Sequence, residues 1–89
     1  MKAVITVLGK DSVGILAKVS AACAEHGVNI MDVTQSVMQD MFAMIMLADT
    51  KACDIPFAEL AKNLENAGET MGVKVHVMHE DIFNSMHRI

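Results

Sequence analysis

Two segments of this 89-residue chain, Ala3–Leu8 and Met41–Ala48, carry apolar side chains on both of their alternating sets, and this restricts the fold more than any other feature. Successive side chains of an extended segment point to opposite faces, so a run that is apolar on both sets has to be covered on both. Each run therefore predicts a central strand. The other periodic segments are different. After the first strand the period becomes helical: Ile15, Val19, Ala22, Cys23 and His26 share one face, with Leu16 beside it, and Gly27 ends the helix as a left-handed cap residue. Val28–Met38 is strand-like with mixed alternation. Met31, Val33, Gln35 and Val37 fall on one side, and Ile30, Asp32, Thr34, Ser36 and Met38 on the other. Gln39-Asp40 supplies a two-residue hairpin turn. Asp54 is expected to cap a second helix with Pro56 in its first turn. Phe57, Leu60, Ala61, Leu64 and Met71 form its apolar stripe, Gly68 threatens to shorten it, and Gly72 ends it. Val73–Met78 alternates cleanly, as an edge strand does. A short apolar tail follows, with Ile82, Phe83, Met86 and Ile89 at helical spacing after a possible Asp81 cap.

Strand, helix, hairpin, helix, strand is the ferredoxin-like order, an α+β βαββαβ fold with a four-stranded antiparallel sheet. Right-handed crossovers put both helices on one face, the first and third strands in the centre, and the second and fourth at the edges. Hydropathy independently makes the first and third strands the doubly apolar ones, so the two arguments agree. The length fits a single domain, 1–89, with a core over 2–80 and a tail over 81–89. The face without helices is then expected to expose Met44, Met46, Met78 and their neighbours. A chain this short buries only about 60–65 % of its unfolded surface. Yet 53 % of its residues are hydrophobic, and nine Met with no Trp or Tyr supply much of that share. These features predict a homodimer that covers the bare face, helped by the C-terminal tail. Methionine adapts to uneven surfaces, so a separately encoded enzyme or regulator is the alternative partner.

Several function classes are disfavoured. The net charge is −4 and no Lys/Arg cluster exists, which argues against nucleic acid and against anionic membrane surfaces. Tyr and Trp, the usual stacking platforms for single strands, are absent. No apolar run reaches about eighteen residues, and no secretory leader precedes the first strand. Cys23 and Cys53 stand thirty residues apart and read as reduced thiols, so the expected location is the cytoplasm. Gly9 and Gly14 give the G-x-x-x-x-G spacing of a phosphate loop, but Ile15-Leu16 stands where Lys-Ser/Thr is needed. His76 and His79 are three apart on a strand and point to opposite faces, and the Cys23/His26 pair lies on the core side of its helix. No metal or other cofactor is expected. There is no Gly-x-Ser-x-Gly elbow, and Cys23 among apolar neighbours should have a raised pKa and low reactivity. The chain is therefore expected not to be an enzyme.

One loop has functional shape. Asp11-Ser12-Val13-Gly14 lies between a strand and a helix start, where free backbone N–H groups attract a carboxylate or phosphate. Gly14 lets a ligand approach the backbone, and Asp11 suits an ammonium group. Together they could hold a zwitterion. The same residues also fit plain helix capping by Asp11 or Ser12 with Gly14 permitting a turn.

At this point the sequence resembles ACT domains. Asp11-Ser12-Val13-Gly14-Ile15-Leu16 is similar to their D-x-x-G-[IL]-[LV] loop, and Val28-Asn29-Ile30 after Gly27 is similar to their G-[IVL]-N-[IV] element. The resemblance runs from Lys2 through Met78 and is closest to small free-standing ACT proteins of bacteria and archaea. It implies a regulatory module that pairs with its own kind and binds an amino acid or other small metabolite at the subunit contact. The implied ligand contacts are Asp11, Val13, Gly14, Ile15, Asn29 and Ile30. Many family loops carry Arg-Pro or Lys-Pro before the glycine where Ser12-Val13 stands here, so the ligand's identity does not carry over. Some members have no known ligand and serve only in assembly.

Overall fold

The hairpin at Gln39-Asp40 sets the register of the sheet. In the computed structural model, which describes residues 2–10 and 14–86, Gln39 takes a left-handed φ of 56° and Met38 lies opposite Met41. The chain forms β1 (Lys2–Lys10), α1 (Ile15–Glu25), β2 (Asn29–Met38), β3 (Met41–Asp49), α2 (Phe57–Thr70), β4 (Lys74–His79) and α3 (Glu80–Met86). The strands lie in the order β2-β3-β1-β4 and every pair is antiparallel. The two runs apolar on both sets thus occupy the centre, as expected. α1 and α2 pack on one face, α1 beside β2 and α2 against β4.

Register decides which side chains meet the helices. Ile5 pairs with Met46 and with Val77, and Val7 pairs with Met44 and with Val75. These residues point to the helices and join Ile15, Val19, Cys23, Leu60 and Leu64 in one buried cluster. Met44 and Met46 are therefore core residues, not members of the bare face, which corrects the sequence expectation. The other set of β3, Met41, Ala43, Ile45 and Leu47, takes the bare face with Val4, Thr6 and Leu8 of β1 and His76 and Met78 of β4. On β2, a bulge between Ile30 and Asp32 shifts the alternation. It turns Ile30 to the helix side together with Val33, and leaves Met31 exposed.

The helix ends follow from local hydrogen bonding. After α1 the Val28 amide donates to the Cys23 carbonyl at 2.9 Å and the Gly27 amide to Ala24 at 3.1 Å. After α2, Val73 donates to Gly68 at 3.0 Å and Gly72 to Glu69 at 3.1 Å. Both are six-to-one closures with a left-handed glycine. Gly68 does not shorten α2. It is buried within the helix, where an added Cβ would overlap Val75, so its missing side chain lets α2 lie close on β4. Two expected caps differ. Pro56, not Asp54, precedes α2, because the Asp54 carboxylate is engaged elsewhere. The His79 ring, not Asp81, closes the start of α3, its Nδ1 accepting the Asp81 amide at 3.1 Å.

Candidate functional site

Gly14 is the first described residue after β1 and the cap residue of α1, with φ 84° and ψ 6°. An L side chain is disfavoured there, whereas glycine adopts this conformation at little cost. No atom of the described residues lies within 4 Å of where its Cβ would stand, so the glycine answers to backbone conformation and leaves open space beside the helix start. The first bond of the helix runs from the Lys18 amide to the Gly14 carbonyl, 3.0 Å. The Ile15, Leu16 and Ala17 amides accordingly have no acceptor within the helix, and Gly14 has no side chain to offer them. Ile15 contributes only its backbone to this opening, since its side chain is buried in the core. Asp11 and Val13, the other loop contacts implied by the sequence, lie outside the described residues.

Asn29 and Ile30 stand at the far end of the domain. Asn29 opens β2 opposite Asp49, which in turn pairs with Lys2, whereas Gly14 follows Lys10 at the other end of β1. A nine-residue strand is about 30 Å long, so one chain does not bring the glycine loop and Asn29 together. Asn29 is exposed, and Ile30 is half-buried with its side chain against the core. Two open grooves of the described residues lie elsewhere, one between α2 and β4 at Glu69 and His76, the other between α1 and α2 at Glu25 and Asn66. Neither includes Gly14, Ile15, Asn29 or Ile30.

The end of α1 carries a contact that sequence reasoning missed. His26 Nδ1 lies 3.0 Å from Asp54 Oδ1, the ring N–H donating, and the Asp54 amide donates to the His26 carbonyl at 3.1 Å. The two residues are 28 apart, and no local pattern signals the pairing. It ties the end of α1 to the segment before α2. Cys23 and Cys53 are free thiols. Burial, and secondarily the neighbouring Cys53, pushes the Cys23 thiol up to about 11, which makes it a poor nucleophile at neutral pH. Among the described residues no three His, Cys, Asp or Glu side chains gather to hold a metal ion, and no helix is long and apolar enough to cross a membrane.

Comparison with known proteins bears on this geometry. The family described as "ACT domain" matches residues 2–78. A UPF0237 protein of Methanocaldococcus jannaschii is 50 % identical over 88 residues, which covers 99 % of this chain and 98 % of that protein. Among solved structures, an ACT domain protein from Streptococcus pneumoniae is 39 % identical with a TM-score of 0.82, covering 98 % of each chain. The regulatory subunit of aspartate kinase from Thermus thermophilus is 25 % identical with a TM-score of 0.66, covering 86 % of this chain and 50 % of that one.

Proposed function

The chain belongs to the ACT domain family, and we propose that it is a non-catalytic regulatory module of the cytoplasm that binds an amino acid or similar small metabolite between two copies of itself. The observation that carries this reading is the helix start at left-handed Gly14, which offers no side-chain cap to the three backbone amides that lack intrahelical acceptors. Such a start attracts a carboxylate through its free donors and its dipole. Asp11 supplies the opposite charge for an ammonium group. Asn29, with both donor and acceptor atoms, suits the remaining polar atoms of a ligand.

The separation of Gly14 from Asn29 within one chain dictates how the copies meet. Pairing through the bare sheet face alone leaves both glycine loops on the outer, helical layers, away from the seam. A second copy set antiparallel against the β2 edge does better. α1 packs on the β2 side of the sheet, so its Gly14 end comes beside the partner subunit's Asn29 when the two edge strands run in opposite directions. Val37 and Met38, exposed to 66 % and 68 % near the end of that edge, would gain cover from the same contact. Ligand then favours the paired arrangement, and the change in pairing alters affinity for a target enzyme or regulator. A regulatory subunit of an enzyme among the similar structures supports that role.

Calorimetry against the twenty amino acids tests the reading. One of them should release heat, and Asn29→Ala should weaken its binding about tenfold, the scale of one lost hydrogen bond of about 1–1.5 kcal/mol. Absence of heat for all twenty removes the amino acid from the proposal. A second reading, an assembly protein that docks on a separately encoded enzyme with the loop purely structural, draws on the bare sheet face with exposed Leu8, Met41 and Ile45 and on the tail with exposed Ile82. It predicts that a captured partner is lost on deleting residues 82–89 while no metabolite binds to either form.

A further inference from the structure

β4 is the outermost strand on its side of the sheet. β1 pairs with one of its edges, and no described strand pairs with the other. Along such an edge the N–H and C=O groups of every second residue point outward, a ready template for one more strand. A groove of about 400 Å³ runs along it, lined by Val73, Lys74, Val75 and His76 together with Glu65 and Glu69 of α2. Successive strand residues point to opposite faces, so a groove lined by four in a row opens on the edge of the strand and not on either face. Neither proline nor bulge interrupts β4. α3 touches β1 as well as β4, which places it over the sheet and not along this margin.

The close approach of α2 to β4 at Gly68 sets two carboxylates beside that edge. Glu65 and Glu69 are exposed, and among the described residues neither forms an ion pair. They stand one helical turn apart, about 6 Å along α2. Alternate residues of an extended strand are about 6.8 Å apart. The two spacings agree, so a strand added to β4 brings two of its helix-side residues, i and i+2, to the two carboxylates in turn.

We propose that the β4 edge is a docking site for an extended segment of a different protein, one that carries Lys or Arg at alternate positions and pairs with β4 as a fifth strand. This contact uses neither Gly14 nor the β2 edge and goes beyond the function proposed above. Main-chain bonds of the ladder supply affinity, and side chains on alternate positions supply the choice of partner. Charge selects the occupant. A second copy pairing through its own β4 lies antiparallel about a two-fold axis and sets α2 against α2. Centred on Val75, such a pair brings Glu65 and Glu69 towards their own counterparts and Lys74 opposite the partner subunit's His76. Like groups are then opposed in the helical layer, whereas a basic segment turns the same carboxylates into partners.

The full chain and a synthetic peptide of alternating threonine and lysine, seven residues long with both ends blocked, test the proposal. Anisotropy of the labelled peptide should show saturable binding, and Glu65→Gln combined with Glu69→Gln should weaken it about tenfold, the scale of two exposed ion pairs. Backbone methylation separates a paired strand from a loose charge contact. Methylating every lysine amide blocks one edge of the peptide and methylating every threonine amide blocks the other, so one peptide should lose binding and the other keep it within about twofold. Hydrogen exchange should slow at alternate amides of β4 in the complex. The proposal is overturned if the lysine peptide does not bind, if the two methylated peptides behave alike, or if a peptide with glutamate in place of lysine binds as well. Protection of the outward β4 amides that rises with protein concentration in the absence of peptide means that a second copy holds the edge, and overturns it too. Amino-acid heat is independent of all these outcomes, so the β2-edge reading stands or falls separately.

Discussion

Replacing Gly68 by alanine sets two opposing effects against each other inside α2, and the structure decides between them. An alanine in a helix interior is favoured over glycine by about 1 kcal/mol, because glycine loses more backbone freedom on folding. Against this, a Cβ at position 68 would overlap Val75 Cγ2 and stand 3.2 Å from both Val75 Cβ and the Val73 carbonyl oxygen. Val75 is buried and β-branched, so its side chain has few places to go, and a backbone carbonyl cannot rotate aside at all. An inserted carbon in such a seam costs about 1–3 kcal/mol. The backbone obstacle argues for the upper part of that range, and the net effect is a loss of about 1–2 kcal/mol.

For a domain of this size the loss corresponds to a fall in Tm of about 4–15 °C. Denaturant unfolding, run at one fixed protein concentration because assembly shifts apparent stability, measures it directly. Gly72→Ala is the useful comparison. Its φ is 76° and no atom of the described residues lies within 4 Å of a Cβ there, so its cost is backbone strain alone, about 1 kcal/mol. Gly68→Ala should couple to Val75→Ala by at least about 1 kcal/mol, since truncating Val75 removes the worst overlap. If Gly68→Ala stabilises the protein, or if the two changes simply add, the close approach of α2 to β4 is not what excludes a side chain.

Gln39→Gly should stabilise the fold by about 0.5–1 kcal/mol by relieving the left-handed φ of 56° at the hairpin, read from the midpoint of urea unfolding. Gly14→Ala, at φ 84° with no atom of the described residues within 4 Å of its Cβ, should cost about 1 kcal/mol of stability through strain. Its hydrogen-exchange signature should be confined to the start of α1. The raised Cys23 thiol makes stability pH-dependent in the alkaline range. The unfolded thiol titrates near 9.0 and burial pushes the folded one up to about 11, so its contribution is complete below pH 9 and is lost between pH 9 and 11, by at most about 3 kcal/mol. The difference in alkaline slope between wild type and Cys23→Ala measures this term, and identical slopes would refute it.

Most of the architecture was readable from periodicity, and the misreadings have physical causes. Ala3–Leu8 and Met41–Ala48 identified themselves as central strands because both sets of side chains are apolar. That same property hid which set of Met41–Ala48 meets the helices: without alternation, hydropathy gives no parity. Pairing supplies it, through Met38 opposite Met41 at the turn and Ile5 opposite Met46 in the sheet. The bulge at Ile30–Asp32 is invisible for a related reason, since one inserted residue inverts the apparent faces of Val28–Met38 only when the partner strand is known. Asp54 has the chemistry of a cap, but its partner is His26, a contact made by tertiary approach. Of the candidate site, a turn at Gly14 and the helix start after it were legible, while the left-handed conformation of Gly14 came from the structure. The distance between Gly14 and Asn29 was not, because sequence spacing of one helix says nothing about which end of the sheet each residue reaches.

That distance and the uncovered half of the sheet make different demands on a second copy. The protein is about 19 Å thick, which accommodates one sheet and one layer of helices. A two-layer domain leaves one sheet face to something else, and α3 covers only the β1 and β4 part of it at the Lys2 end. Edge-to-edge pairing along β2 would join Gly14 and the partner subunit's Asn29 without covering Leu8, Met41 or Ile45. A ligand held between those two residues would tighten the edge seam, and reciprocity requires that forming the seam tighten the ligand by the same factor. Asn29→Ala should abolish that factor when sedimentation is compared with and without ligand, and a factor unchanged in the variant would refute the shared site.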